Sequence, residues 1–168
     1  MPSRQPLPRL WLMTDERLGD GLLAAVGRLP EGAGIVFRQY SLTEAERRVL
    51  FDAVKQAAPG PVLLAGFPEQ ALAWGADGSH GRHRGATTAP AHDLAEIRAA
   101  ERAGAALVFL SPVFPTRSHP DVTVLGPEGF AALASQTALP VIALGGMNAG
   151  RARTLSGAYG WAGIDAWA

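Results

Sequence analysis

From Leu10 to the C-terminus, short apolar and often β-branched runs alternate with helix-like or polar segments, and this restricts the fold more than any other feature of the chain. Such alternation is the pattern of a parallel sheet built from strand-helix-strand units, whose strands are buried on both faces and so read as continuous apolar stretches. Eight runs qualify: Leu10–Met13, Gly34–Phe37, Pro61–Ala65, Ala76–His80, Ala86–Ala89, Ala106–Leu110, Pro140–Leu144 and Trp161–Ile164, the fourth, fifth and eighth with the weakest patterning. Between them, Thr43-Glu44-Ala45-Glu46 reads as a capping box opening a helix that runs to about Ala58. Asp93 to Ala103, closed by Gly104, places Leu94, Ile97 and Ala100 on one face. Further helices are expected over Pro127–Ala134 and Ala149–Ala158, with a turn or two over Pro68–Trp74.

Eight strands in this order predict an α/β (β/α)8 barrel, although at 168 residues the chain is short for a fold that commonly takes about 250. The barrel must then be pared down, and the residues after Ile164 are too few for a last outer helix. An open doubly wound sheet suits the length better and the strand count worse. Residues 10–168 are expected to form one domain, preceded by a tail over residues 1–9.

Composition narrows the chemistry. The chain has no cysteine, which excludes disulfides, thiolate metal ligands and a thiol nucleophile. Fifteen basic residues balance fifteen acidic ones, with Lys55 the only lysine, so the basic excess that nucleic-acid backbones require is lacking. No apolar stretch is long enough to span a bilayer, and Met1-Pro2-Ser3-Arg4-Gln5-Pro6 does not read as a secretory signal. A cytoplasmic protein that engages neither membrane nor nucleic acid is the expectation.

In either fold, the chemistry belongs at the C-terminal ends of the strands. Arg38 directly follows an apolar strand, and its guanidinium suits a phosphate or carboxylate as well as a neighbouring loop acid. Gly145-Gly146 follows the seventh strand, where bare backbone N–H groups can approach an anion or simply make a tight turn. Ser111 to His119 is a proline-stiffened loop carrying Thr116, Arg117, Ser118 and His119, a set of hydroxyl and cationic donors suited to an oxyanion. His80 ends the fourth strand as a hydrogen-bonding residue; a zinc site made with His83 and His119 lacks both telling spacing and an acidic partner. Trp11, Trp74, Trp161 and Trp167 read as core or interface residues, the last two as a possible homo-oligomer contact beside the missing helix.

Several segments, taken in order, resemble one family. They are Leu12-Met13-Thr14-Asp15, Phe37-Arg38, Ala76-Asp77-Gly78 with His80, His92-Asp93-Leu94-Ala95-Glu96, Phe109 to Thr116, and Pro140 to Met147. The resemblance is to the thiamine phosphate synthase and TenI-like superfamily of (β/α)8 barrels. It implies a transferase of thiamine biosynthesis that joins a hydroxymethylpyrimidine diphosphate to a thiazole phosphate and releases pyrophosphate, with magnesium on the diphosphate. By position, Arg38 and the Thr116–His119 loop would contact the diphosphate, with Arg38, Thr116 and His119 the catalytic set. Gly145, Gly146, Gly163 and Ile164 would receive the thiazole phosphate, and His80 would bind substrate.

The chain departs from that family at specific places. Val36, Arg38 and Tyr40 stand where the pattern is approximately Gln-x-Arg-x-Lys. Ala65-Gly66-Phe67 replaces an Asn-Asp-Asp run, and Gly81-Arg82-His83-Arg84 replaces Gly-Gln-Glu-Asp, so the carboxylates expected to hold magnesium are missing. Arginines neutralising the diphosphate directly are the metal-free substitute. His119 takes a lysine's place, Asp165 a serine's, and Pro112 the place of the catalytic histidine of the tautomerase branch, leaving His119 or His80 to serve there as acid or base. A binder of thiazole or thiamine phosphates without turnover is the third reading.

Overall fold

The computed structural model describes residues 6–168, so residues 1–5 of the expected tail lie outside the described part. Eight parallel strands close into a barrel in sequence order: β1 (Leu10–Met13), β2 (Gly34–Phe37), β3 (Val62–Ala65), β4 (Gly78–His80), β5 (Thr88–Ala91), β6 (Leu107–Leu110), β7 (Val141–Ala143) and β8 (Gly160–Gly163). Closure comes from β8 returning to β1, with Leu10 opposite Trp161 and Leu12 opposite Gly163. Side chains alternate along each strand. Trp11, Met13, Val36, Leu63, Phe109 and Ile142 fill the barrel, while Leu12, Ile35, Phe37 and Leu64 face the outer helices.

The helices are α1 (Leu22–Arg28), α2 (Glu44–Ala57), α3 (Pro68–Trp74), α4 (Leu94–Ala103), α5 (Gly126–Ala134) and the single turn α6 (Ala149–Ala152), with 3-10 segments at Glu16–Gly21 and Asp165–Trp167. Among the described residues no helix joins β4 to β5, and only the 3-10 turn follows β8. Those economies, with the short α6, account for eight strands in so short a chain. In place of an outer helix, Trp167 stacks on Trp161 with centroids 5.1 Å apart, and its indole N–H donates to the Trp11 carbonyl at 3.1 Å. The bottom of the barrel is closed by Leu7 to Arg9, whose carbonyls accept from the Tyr159 hydroxyl, the Trp11 indole and the Trp161 amide.

The α2 cap matches the sequence pattern. Thr43 Oγ1 accepts from the Glu46 amide at 3.3 Å while Glu46 accepts from the Thr43 amide at 3.0 Å, and Phe51 and Val54 of the same helix are buried against the barrel. Thr43→Ala is expected to lower stability by about 1 kcal/mol in urea unfolding, with the site unaffected. The 3-10 segment and α1 were not expected from the sequence, β5 lies two residues later than expected, and α6 stops at Ala152 instead of Ala158.

Candidate anion-binding site

A cavity of about 520 Å³ opens at the C-terminal mouth of the barrel. All ten residues singled out in the sequence line it: Arg38 after β2, His80 at the end of β4, Thr116 to His119 in the loop after β6, Gly145 and Gly146 after β7, and Gly163 and Ile164 at the end of β8. Arg38 therefore faces the same space as the glycine pair. Arg17 and Arg151, which carry no motif in the sequence, also line it, as do Asp165 and His92, the latter from the segment that opens α4.

Arg38 satisfies both readings of a strand-end arginine at once. Its Nε donates to the Thr14 carbonyl at 2.6 Å and one terminal nitrogen meets Asp15 Oδ2 at 3.3 Å, yet the side chain still borders the cavity. Burial pulls its pKa below the ordinary arginine value, and Asp15 opposes that fall. A guanidinium stays charged through such a change. Behind it, Arg47 of α2 straps the ends of β2 and β3 by donating to the Arg38 and Ala65 carbonyls, both at 2.8 Å.

The glycine turn is required by its neighbours. Gly145 and Gly146 adopt φ of +99° and +62°, and a Cβ on Gly146 would lie 2.4 Å from the Pro115 carbonyl oxygen. A Cβ on Gly145 would lie 2.7 Å from Pro112 Cα. The loops after β6 and β7 thus touch backbone to backbone. Among the described residues, the amides of Gly146 and Met147 donate to no protein acceptor, and both residues border the cavity. The 3-10 turn starting at Asp165 adds its own free N-terminal amides beside them. Loops after strands seven and eight with a short extra helix form a recurrent phosphate site in such barrels.

His80 lies on the floor. Its ring meets Phe109 edge-on, with centroids 5.2 Å apart, and Nδ1 hydrogen-bonds to Thr88 Oγ1 at 2.9 Å. Burial, reinforced by the positive charges of Arg38 and Arg82, pushes its pKa down to about 3. The ring is therefore neutral near pH 7 and a poor proton acceptor, which argues against His80 as the base of a tautomerase. His92 pairs with Glu96 at 2.8 Å through Nδ1.

Charge in the cavity is one-sided. Among the described residues, Arg17, Arg38, Arg117 and Arg151 line it against a single carboxylate, Asp165. Asp165 Oδ1 lies 3.3 Å from Arg17 Nε and 3.5 Å from an Arg117 terminal nitrogen, so this acid in a serine's place meets two cations. Arg17 also donates to Ser118 Oγ at 3.1 Å, and Arg151 donates to the Gly146 carbonyl.

The donor set does not suit a magnesium ion. At the ends of β3 and β4, Phe67 stacks on His83 at 4.2 Å, and Arg82 turns to Glu96 at 3.3 Å. Among the described residues no three acidic or histidine side chains are grouped as metal ligands. A hard divalent ion needs carboxylate oxygens, and that corner offers rings, a guanidinium and one carboxylate, Glu96, already paired with Arg82 and His92.

Comparison with known proteins agrees with this architecture. A family model described as thiamine monophosphate synthase matches residues 11–167. A putative thiamine-phosphate synthase 2 of Aquifex aeolicus is 30% identical, the match covering 95% of this chain and 97% of that protein. A thiamine-phosphate synthase of Chloroflexus aurantiacus is 26% identical, covering 94% of this chain and 84% of its own. Among solved structures, a thiamine phosphate pyrophosphorylase from Pyrococcus furiosus superposes with a TM-score of 0.75 at 24% identity, over 95% of this chain and 86% of that one, a likeness of fold. Among the described residues no helix is long and apolar enough to cross a membrane. With eight parallel strands closed in order and nearly the whole chain matched, the protein belongs to the thiamine monophosphate synthase family.

Proposed function

We propose that the chain is a thiamine phosphate synthase-type transferase acting on two phosphorylated small molecules, a pyrimidine diphosphate and a thiazole phosphate. The observation that carries this reading is a cavity in which, among the described residues, four arginines face one carboxylate and the glycine turn after β7 leaves its amides open. Such a cavity suits two anionic groups held side by side.

In the reaction the carbon–oxygen bond between the pyrimidine methylene and the diphosphate breaks, its electron pair leaving with pyrophosphate. The thiazole nitrogen lone pair then forms the new carbon–nitrogen bond. Arg38, Thr116, Arg117, Ser118 and His119 are assigned to the diphosphate, where donors aimed at the departing oxygens stabilise the charge that develops. Gly145, Gly146, Gly163 and Ile164 are assigned to the thiazole phosphate, fixing the nitrogen in line with the methylene carbon. Neutral His80, on an apolar floor with Phe109, is assigned to the pyrimidine ring. No step is assigned to a metal held by the protein.

Incubation with both substrates is expected to give thiamine phosphate and an equal amount of pyrophosphate, and Arg38→Ala to lower kcat/KM about tenfold. Absence of product both with Mg²⁺ and with chelator overturns the reading. A second reading, a binder of thiazole or thiamine phosphates without turnover, is favoured by the missing carboxylates beside β3 and β4. It is distinguished by calorimetric binding of thiazole phosphate in a preparation that makes no product.

A further inference from the structure

The mismatch at the family's metal corner coincides with an arrangement on the opposite side of the mouth. Three segments far apart in sequence converge there: the 3-10 segment after β1 brings Arg17, the loop after β6 brings Arg117 and Ser118, and the turn after β8 brings Asp165. Asp165 Oδ1 sits between two guanidiniums, 3.3 Å from Arg17 and 3.5 Å from Arg117. One terminal nitrogen of Arg17 donates to Ser118 Oγ at 3.1 Å, while its buried Nε faces Asp165 without a hydrogen-bond partner. Arg117 is largely exposed.

A carboxylate held between two guanidiniums marks a point where a phosphate oxygen finds the same two partners, because both anions present planar or fanned oxygens to the guanidinium fork. We propose that Arg17 and Arg117 form a diphosphate clamp that takes the place of a divalent cation, with Asp165 holding the pair in position until the ligand arrives. This rests on the transferase reading for the identity of the ligand. The positive charge that relatives would draw from a metal beside β3 and β4 is supplied here from β1 and β6. Asp165 competes with the ligand for both cations, so its negative charge sets how tightly the diphosphate binds.

Inorganic pyrophosphate is the probe, titrated calorimetrically into the whole chain in EDTA and again in Mg²⁺. Binding is expected in EDTA at an affinity within a few-fold of that in Mg²⁺. Arg17→Gln and Arg117→Gln are each expected to weaken it about tenfold. Arg117 is exposed enough that its replacement leaves the fold intact, which keeps the test valid if the Arg17 variant is unstable. Asp165→Asn is expected to tighten binding about threefold or more, by removing a negative charge beside the ligand. The proposal is overturned by wild-type binding that requires Mg²⁺, by binding that neither arginine substitution changes, or by Asp165→Asn leaving affinity unchanged or weaker. Metal-independent pyrophosphate binding in a protein without turnover would sink the transferase reading and leave the clamp standing. Turnover and pyrophosphate binding that both demand Mg²⁺ would do the reverse.

Discussion

Gly146→Val is expected to destabilise the protein by about 2–6 kcal/mol and to abolish measurable binding of thiazole phosphate. Two costs add. A β-branched residue at φ of +62° is held in a backbone region that side chains other than glycine avoid, at about 1–3 kcal/mol. The new Cβ would also stand 2.4 Å from the Pro115 carbonyl oxygen and 3.0 Å from Phe114 Cβ, and backbone cannot yield as a flexible side chain does. The loops after β6 and β7 must separate, at about 1–3 kcal/mol for an overpacked contact. Separation moves the open amides of Gly146 and Met147 away from Thr116 to His119, so stability and ligand binding fall together. Urea unfolding with calorimetry on the same preparation measures both. An unfolding midpoint equal to wild type would mean that these two loops do not meet as described.

The strands were legible because a strand buried on both faces has to be apolar throughout, and Leu107–Leu110 or Gly34–Phe37 can be little else. The polar residues that end them were legible as the rim of a site for the same reason. β5 runs two residues later than the sequence pattern suggested, and it includes Pro90. Pro90 is tolerated inside the strand because β5 meets β4 only at Thr88, opposite His80, leaving no partner there for the N–H that proline lacks. The segment after β1 was hidden by Gly19 and Gly21. Gly19 kinks the 3-10 stretch with φ of 48°, and the apolar spacing of Leu22, Ala25, Val26 and Leu29 resumes only beyond it. Ala149 to Ala158 is helix-forming by composition, but Gly157 takes φ of 82° and the chain leaves the helix at Ala152. Arg17 escaped notice for a different reason. Its partners Ser118 and Asp165 are more than a hundred residues away, and only closure of the barrel brings their loops together. Its one local signal was its place two residues beyond the strand-end acid Asp15, whose carboxylate accepts from the Arg17 amide at 3.0 Å.

Acid is expected to destabilise the protein through His80 before most of its carboxylates titrate. Folded, the ring is almost wholly buried and its pKa is lowered to about 3; unfolded, it returns to an ordinary value of about 6.5. Between those values the unfolded chain binds a proton that the native state refuses. Stability therefore rises with pH across this window and is lost as pH falls through it, with a slope of up to about 1.4 kcal/mol per pH unit. From pH 6.5 to 5 the loss is about 2 kcal/mol. The carboxylates held below their usual range, Glu16, Glu46, Glu96 and Glu101, act in the same direction and mostly at lower pH, so the imidazole's share is read from the difference between wild type and a His80 variant. His80→Gln keeps a hydrogen-bonding group for Thr88 Oγ1 and cannot gain the proton. Urea unfolding midpoints across that interval should slope in the wild type and lie flatter in the variant. Equal slopes would show that His80 is solvated enough to protonate in place, which would also add a positive charge to the cavity floor. With the ring neutral, the positive charge around the cavity floor comes from the neighbouring arginines, so the destabilisation at mild acid and the charge of the anion site arise from different residues.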